Sequence, residues 1–248
     1  MKHVVLFSGG AASSYVAYLL KKDKKIDNKD IIILHTPTLS ECEDSEKFRL
    51  KVARHLKLPM TVWGDGRDIW ELIDDYSAVP GQFMPFCTER LKQDMKEQYF
   101  NYLKRCKEEW IEYVGYGPDE WRRVQKSMAR NEALGRQVRF PLYDKGISSE
   151  ECKRIIHEEW KIELPSAYKT LQHNNCIPCF KGGKEYFKAV YWNYPVQYQK
   201  AIEKENSTGH TVFKDISLKD LAVIFDNDKQ WRDSQYQIAD FIPCECWT

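Results

Sequence analysis

The chain opens on the stretch that most limits its fold: Lys2 to Lys22 reads KHVVLF, then SGGAASS, then YVAYLLKK. The first piece is short, apolar and β-branched, the composition of a buried strand. Gly9 and Gly10 interrupt it, and Tyr15, Val16, Tyr18, Leu19 and Leu20 then recur at helical spacing. A strand that turns through two glycines into a helix gathers free backbone N–H groups at one point. The positive end of the helix dipole adds to them, so an anion such as phosphate is favoured there. Glycine lets a ligand approach the backbone closely, and Ser8, Ser13 and Ser14 offer hydroxyl donors. A plain serine-capped turn is the alternative.

The pattern repeats along the first half of the chain. Asp30 to Thr36 reads as a fully buried strand stopped by Pro37, Glu43 to Lys57 as a helix, and Met60 to Trp63 as a short strand. A helix starts near Ile69, and further strands are expected at Trp110 to Val114 and Val138 to Tyr143. Asp144 to Trp160 reads as a helical region capped by Ser148 or Ser149. Alternating strands and helices predict an α/β fold, a doubly wound and mostly parallel sheet with helices on both faces. Ligands in such sheets sit beyond the carboxyl ends of the strands, which places His35 and Thr36 to line a nucleotide site. Two regions follow: a nucleotide-binding domain over residues 1–165, and a helical, cysteine-bearing region over 166–248 packed on it.

Two further segments carry candidate chemistry. The Pro- and Gly-bearing loop 77–87 has the length of a lid, and Cys87 follows it at the start of a helix. A thiol there is expected to have a depressed pKa, fitting a metal ligand or nucleophile; a buried inert cysteine is the alternative. After the strand at 110–114, Gly115 to Arg123 places Glu120 and Arg123 where a carboxylate and a guanidinium can orient each other and a phosphate or Mg²⁺. A surface ion pair is the alternative.

Eight cysteines are many for a chain with no secretory signature, since only Lys2 and His3 precede a short apolar run. Cys176 and Cys179 form one close pair and Cys244 and Cys246 another, so four thiolates can meet at one tetrahedral ion. Cys42, Cys106 and Cys152 sit in helical patterns and read as packing residues, and His173 as a loop residue bonding backbone, with a metal ligand as the alternative. The aromatic run Tyr186 to Tyr198, interleaved with Lys184, Lys188 and Lys200, reads as helix and core, or as a nucleic-acid face. Lys plus Arg number 38 against 37 Asp plus Glu, so no global field favours nucleic acid. No run of ~18 apolar residues predicts a membrane span, and a cytoplasmic location is expected.

Ser8 to Ser13 resembles the SGGxDS pyrophosphate loop (PP-loop) of the ATP pyrophosphatases, a superfamily that includes PAPS reductases, tRNA thiolases and 7-cyano-7-deazaguanine synthase. It departs at Ala12, where the pattern has Asp, and it is not a Walker A loop, because no GK[ST] follows. Cys87 to Lys92, Gly115 to Arg123, the Asp65 to Asp68 turn and His173 to Gly183 are similar to segments of PAPS-reductase-like "adenine nucleotide alpha hydrolase" proteins, often encoded by bacteriophages and mobile elements. The resemblance spans Val4 to Cys246. It implies ATP, or PAPS or APS, as the nucleotide, with Mg²⁺. It implies Ser8, Gly9, Gly10, Ser13, Ser14, His35, Thr36 and Gly115 as nucleotide-binding residues and Glu120, Arg123 and Cys87 as catalytic ones.

The same resemblance leaves the metal open between zinc on Cys176, Cys179, Cys244 and Cys246 and a 4Fe–4S cluster that recruits Cys87. Its first functional implication is adenylation of a substrate with pyrophosphate release, for sulfur transfer or nucleic-acid base modification. That would involve a tRNA or DNA acceptor and a sulfur-donor protein. The alternatives are thiol-dependent reduction of a sulfonucleotide, with Cys244 or Cys246 as nucleophile, and a non-catalytic nucleotide-binding module. A homodimer is open.

Overall fold

The structure is a computed structural model that describes residues 1–81, 84–171 and 173–227. The chain starts with β1 (Lys2–Leu6), α1 (Ala11–Lys22), β2 (Ile31–His35), α2 (Asp44–Leu56), β3 (Met60–Val62) and α3 (Ile69–Tyr76). A helical stretch follows: α4 (Phe86–Thr88), a π-helical segment at Glu89–Gln93 and α5 (Asp94–Arg105). Next come β4 (Trp110–Tyr113), α6 (Trp121–Ala133), β5 (Gln137–Arg139), α7 (Pro141–Lys145) and α8 (Ser149–Arg154), the last extended by a π segment, Ile155–Glu159. The C-terminal part holds α9 (Ala167–Thr170), α10 (Lys184–Asn193), α11 (Pro195–Thr208) and α12 (Leu218–Asn227).

The five strands form one all-parallel sheet in the order β3-β2-β1-β4-β5, an α/β architecture compatible with a Rossmann-like domain. Side chains alternate across β1. Val5 and Phe7 enter a core with α1, α2 and α8, while Val4 and Leu6 enter another with α5 and α6. Both faces are therefore covered, as a parallel sheet requires. The chain winds outward from β1 to β3, then returns to lay β4 on the other side of β1. The switch point lies between β1 and β4, beside the glycine turn.

One expectation needs correction and another resolves to its first reading. Val138 to Tyr143 is not one strand: the strand ends at Arg139 and Pro141 opens α7. Proline lacks the N–H a ladder needs, but its fixed φ suits the first position of a helix. The aromatic run 186–198 is two helices broken before Pro195, and Tyr186, Phe187, Val190 and Tyr198 are buried with Trp70, Ile73 and Phe180. Lys188 is buried too, Lys184 pairs with Asp215, and Lys200 lies over the Trp70 ring. The buried rings are core, as the helix-and-core reading expects. No helix among the described residues is long and apolar enough to cross a membrane.

Candidate functional site

A cleft of about 1050 Å³, counting its open mouth, lies at the switch point. Leu6 at the end of β1 and Val114 and Gly115 beyond β4 form its floor, Ser8 and Gly10 to Ser13 one wall, and Asp119, Glu120 and Arg123 another. Glu41, Lys92, Tyr168, His173, Asn174 and Cys176 add to the lining.

Two glycines shape the turn, and its serine hydroxyls serve the helix start instead of standing free as donors. Gly9 takes φ +80°, a left-handed backbone suited to glycine, and Gly10 is the extended N-cap of α1. The Ser13 and Ser14 hydroxyls both donate to the Gly10 carbonyl, at 3.1 and 2.8 Å, which fixes the first turn. The Gly10 N–H reaches Ser8 Oγ at 3.4 Å, and the Ala11 N–H donates to the Tyr168 hydroxyl at 2.9 Å. The N–H groups of Gly9, Ala12 and Ser13 have no hydrogen bond among the described residues. Burial pushes the Tyr168 hydroxyl up to about 12, so it stays protonated. Having accepted from Ala11, that hydroxyl has a proton left to donate, which relays one loop donor toward the cleft.

Gly115 permits the closest backbone approach at the site. A Cβ there would come within 2.9 Å of the Ser13 nitrogen and 3.0 Å of the Ala12 carbonyl carbon. Any larger residue would wedge β4 away from the start of α1. Beyond it, the Glu120 carboxylate accepts from the Gly117 N–H at 2.8 Å and pairs with Arg123. The Arg123 guanidinium also lies 4.2 Å from the centroid of the Tyr116 ring. Carboxylate and ring together aim a planar cation at the cleft.

His35 and Thr36 lie beneath the turn and not on the cleft wall: both are buried, and His35 Nδ1 donates to the Phe7 carbonyl at 2.9 Å. Burial, with Arg49 close by, pushes the imidazole down to about 4, so it is neutral and its Nε2 is an acceptor. Ser14 and Gly9 also act from below. Ser8, Gly10, Ser13, Gly115, Glu120 and Arg123 reach the cleft. Sequence reasoning missed Lys92, Glu41, Asn174 and Tyr168. Lys92 closes the Cys87 to Lys92 segment and has no hydrogen bond or ion pair among the described residues. Asn174 donates to the Gly9 carbonyl at 2.9 Å and accepts from Ser45 at 2.6 Å, tying the cysteine loop to the turn.

The cysteines differ from expectation. Cys87 starts a helix, yet burial pushes its thiol up to about 11, because desolvation outweighs the helix terminus. Burial likewise raises Cys176 to about 12. Cys176 Sγ contacts Thr38 Oγ1 at 3.1 Å, and the Cys176–Cys179 knuckle is held by Tyr186, whose hydroxyl donates to the Cys176 carbonyl and accepts from the Cys179 N–H, both at 2.8 Å. Cys152 is buried in α8 as a packing residue, whereas Cys106 is exposed and Cys42 Sγ meets Ser166 Oγ at 3.0 Å. Among the described residues no group of three or more His, Cys, Asp or Glu side chains is arranged to hold a metal ion. Cys244 and Cys246 lie outside the described residues. Burial holds the Cys87 and Cys176 thiols protonated.

Comparison of the chain with protein-family models and with curated proteins finds no match.

Proposed function

We propose that the cleft binds an adenine nucleotide with its phosphates on the Ser8–Ser13 turn, and that the protein transfers the adenylyl group to an acceptor oxygen with release of pyrophosphate. One observation carries this reading: the unpartnered Ala12 and Ser13 amides and the unpaired Lys92 ammonium line one cleft at the topological switch point. The acceptor oxygen attacks the α-phosphorus, the bond to the bridging oxygen breaks, and pyrophosphate leaves with the electron pair. Charge growing on that leaving group would meet amide donors and Lys92 already in place. Arg123, held by Glu120 and the Tyr116 ring, is aimed to bind a phosphoryl oxygen. The adenylate makes a poor leaving group a good one, and a sulfur or nitrogen nucleophile then displaces AMP.

The pattern's Asp is Ala12 here, so the loop carries no carboxylate. Asp119 and Glu41 line the same cleft and make no ion pair among the described residues. Mg²⁺ is commonly held by one or two carboxylates plus substrate phosphates, so these two residues fit it. When bound, it would neutralise phosphate charge.

The test pairs calorimetric titration of ATP with an assay for pyrophosphate release, on the chain and on Lys92→Ala. Binding is expected, with Lys92→Ala weaker by about tenfold or more, the loss of one charge-assisted hydrogen bond. Binding without release under any acceptor would leave a nucleotide-binding module. No binding would overturn the reading.

A further inference from the structure

One side chain of α2 breaks the pattern of its helix. Ser45, Phe48, Arg49, Val52 and Leu56 form its inward-facing stripe, so a guanidinium stands where periodicity favours an apolar group. Arg49 is only 8% exposed, and its Nε and Nη1 atoms have no hydrogen-bond partner. Among the described residues it makes no ion pair, and Glu41 and Glu46 act on it only through space. Desolvation lowers its pKa from the ordinary value, yet a guanidinium keeps its proton at any pH the fold meets. The position of this charge gives it meaning. A Cβ on Gly9 would stand 2.9 Å from Arg49 Cδ and 3.3 Å from Nη1, so the side chain runs along the back of the glycine turn. Gly9 is buried while Ser8, Gly10 and Ser13 line the cleft, so the guanidinium lies behind the turn and an anion in the cleft would lie in front. His35, held neutral, adds no charge there. Ser45, one turn earlier on the same stripe, holds the Asn174 amide that bonds the Gly9 carbonyl.

From these observations we infer that Arg49 is a positioning residue for an oxyanion on the turn: its buried, unpaired charge stands behind the amides and is neutralised when phosphate oxygens arrive in front of them. The inference rests on the nucleotide reading above and adds a residue that acts on the ligand by its field and not by contact. A buried cation without a partner costs stability, because the fold returns too little of the hydration it removed. An anion on the turn offsets that cost, so the free protein is the less stable, preorganised form. Fixed before the ligand binds, the charge needs no rearrangement as pyrophosphate departs. A guanidinium kept for packing would do the reverse: its removal would weaken the fold and leave the anion's affinity alone.

The test measures thermal unfolding, and calorimetric titration with inorganic pyrophosphate and with ATP, on the parent chain, Arg49→Met and Arg49→Lys. Methionine keeps most of the apolar stem and removes the charge. Without ligand, Arg49→Met is expected to melt about 2–4 °C above the parent. Its affinity for pyrophosphate and for ATP is expected to fall about tenfold or more, and the ligand-induced rise in melting temperature with it. Arg49→Lys keeps the charge and is expected to stay within about threefold of the parent for both ligands. An Arg49→Met protein that melts no higher than the parent, or does not fold, overturns the inference, as does one that binds both ligands as the parent does. A lysine variant as weak as the methionine variant overturns it too, by making shape and not charge the cause. In each of these cases the parent still binds. A parent that binds neither pyrophosphate nor ATP overturns the nucleotide reading, and this inference with it.

Discussion

At the residue scale, His35 shows how burial sets chemistry. Its imidazole is held neutral beneath the turn, with its pKa pushed from 6.5 to about 4 by desolvation and by Arg49. Between those values the unfolded chain takes up a proton that the folded chain refuses. This contribution to stability is therefore fully present above pH 6.5 and is lost as pH falls toward 4, by up to ~3 kcal/mol. Urea unfolding at pH 7.5 and pH 5 measures it. The prediction is that His35→Asn loses less stability than the parent across that interval; an equal loss in both would place the titration elsewhere. Gly115 makes a sharper case. Its would-be Cβ meets backbone atoms that cannot rotate away, so Gly115→Ala should destabilise the protein by about 1–3 kcal/mol. It should also weaken ATP binding. Thermal unfolding and calorimetry report the two effects.

The residues just named also show what was legible beforehand. Gly9, Gly10 and Gly115 were readable because a glycine at a strand end is itself a geometric statement. Lys92, Glu41 and Tyr168 were not, because their roles depend on which loops meet in space. Cys87 misled, since a helix start is visible in sequence and the desolvation that opposes it is not.

At the scale of elements, local chemistry and periodicity predicted most boundaries. Asp68 and Glu71 form a reciprocal capping box at the start of α3, and Ser148 caps α8. The Asp65–Asp68 turn is a staple, with Arg67 joining Asp65 at 2.8 Å and Asp75 at 2.6 Å. Periodicity failed where proline and burial reassign a segment, as at Pro141. At the end of α11, which runs on to Thr208, the buried Glu205 carboxylate accepts from the Val212 and Leu218 N–H groups at 2.7 Å each. One element holds a charge no pattern announces. Glu112 lies fully buried in β4, 3.5 Å from the buried Lys96 ammonium of α5. Removing one partner leaves the other buried and uncompensated, so Lys96→Met should cost about 3–5 kcal/mol. Lys96→Met/Glu112→Gln should recover much of that loss in chemical denaturation.

At the scale of the whole molecule, three cores surround one switch point. Two cover the sheet faces, and the third joins α3 to α10, α11, α12 and the loop that carries Cys176 and Cys179. That third core carries Asn174 and Cys176 to the cleft wall, so the C-terminal part helps to build the site. The account depends on backbone amides at the head of α1 receiving a nucleotide's phosphates. The direct measurement is amide chemical shift in ¹⁵N-labelled protein during titration with ATP. The account predicts that Ala12 and Ser13 shift and saturate together with the binding isotherm, and that Gly115→Ala blunts the change. Saturable ATP binding that leaves those two amides unmoved, or no binding at all, would contradict it.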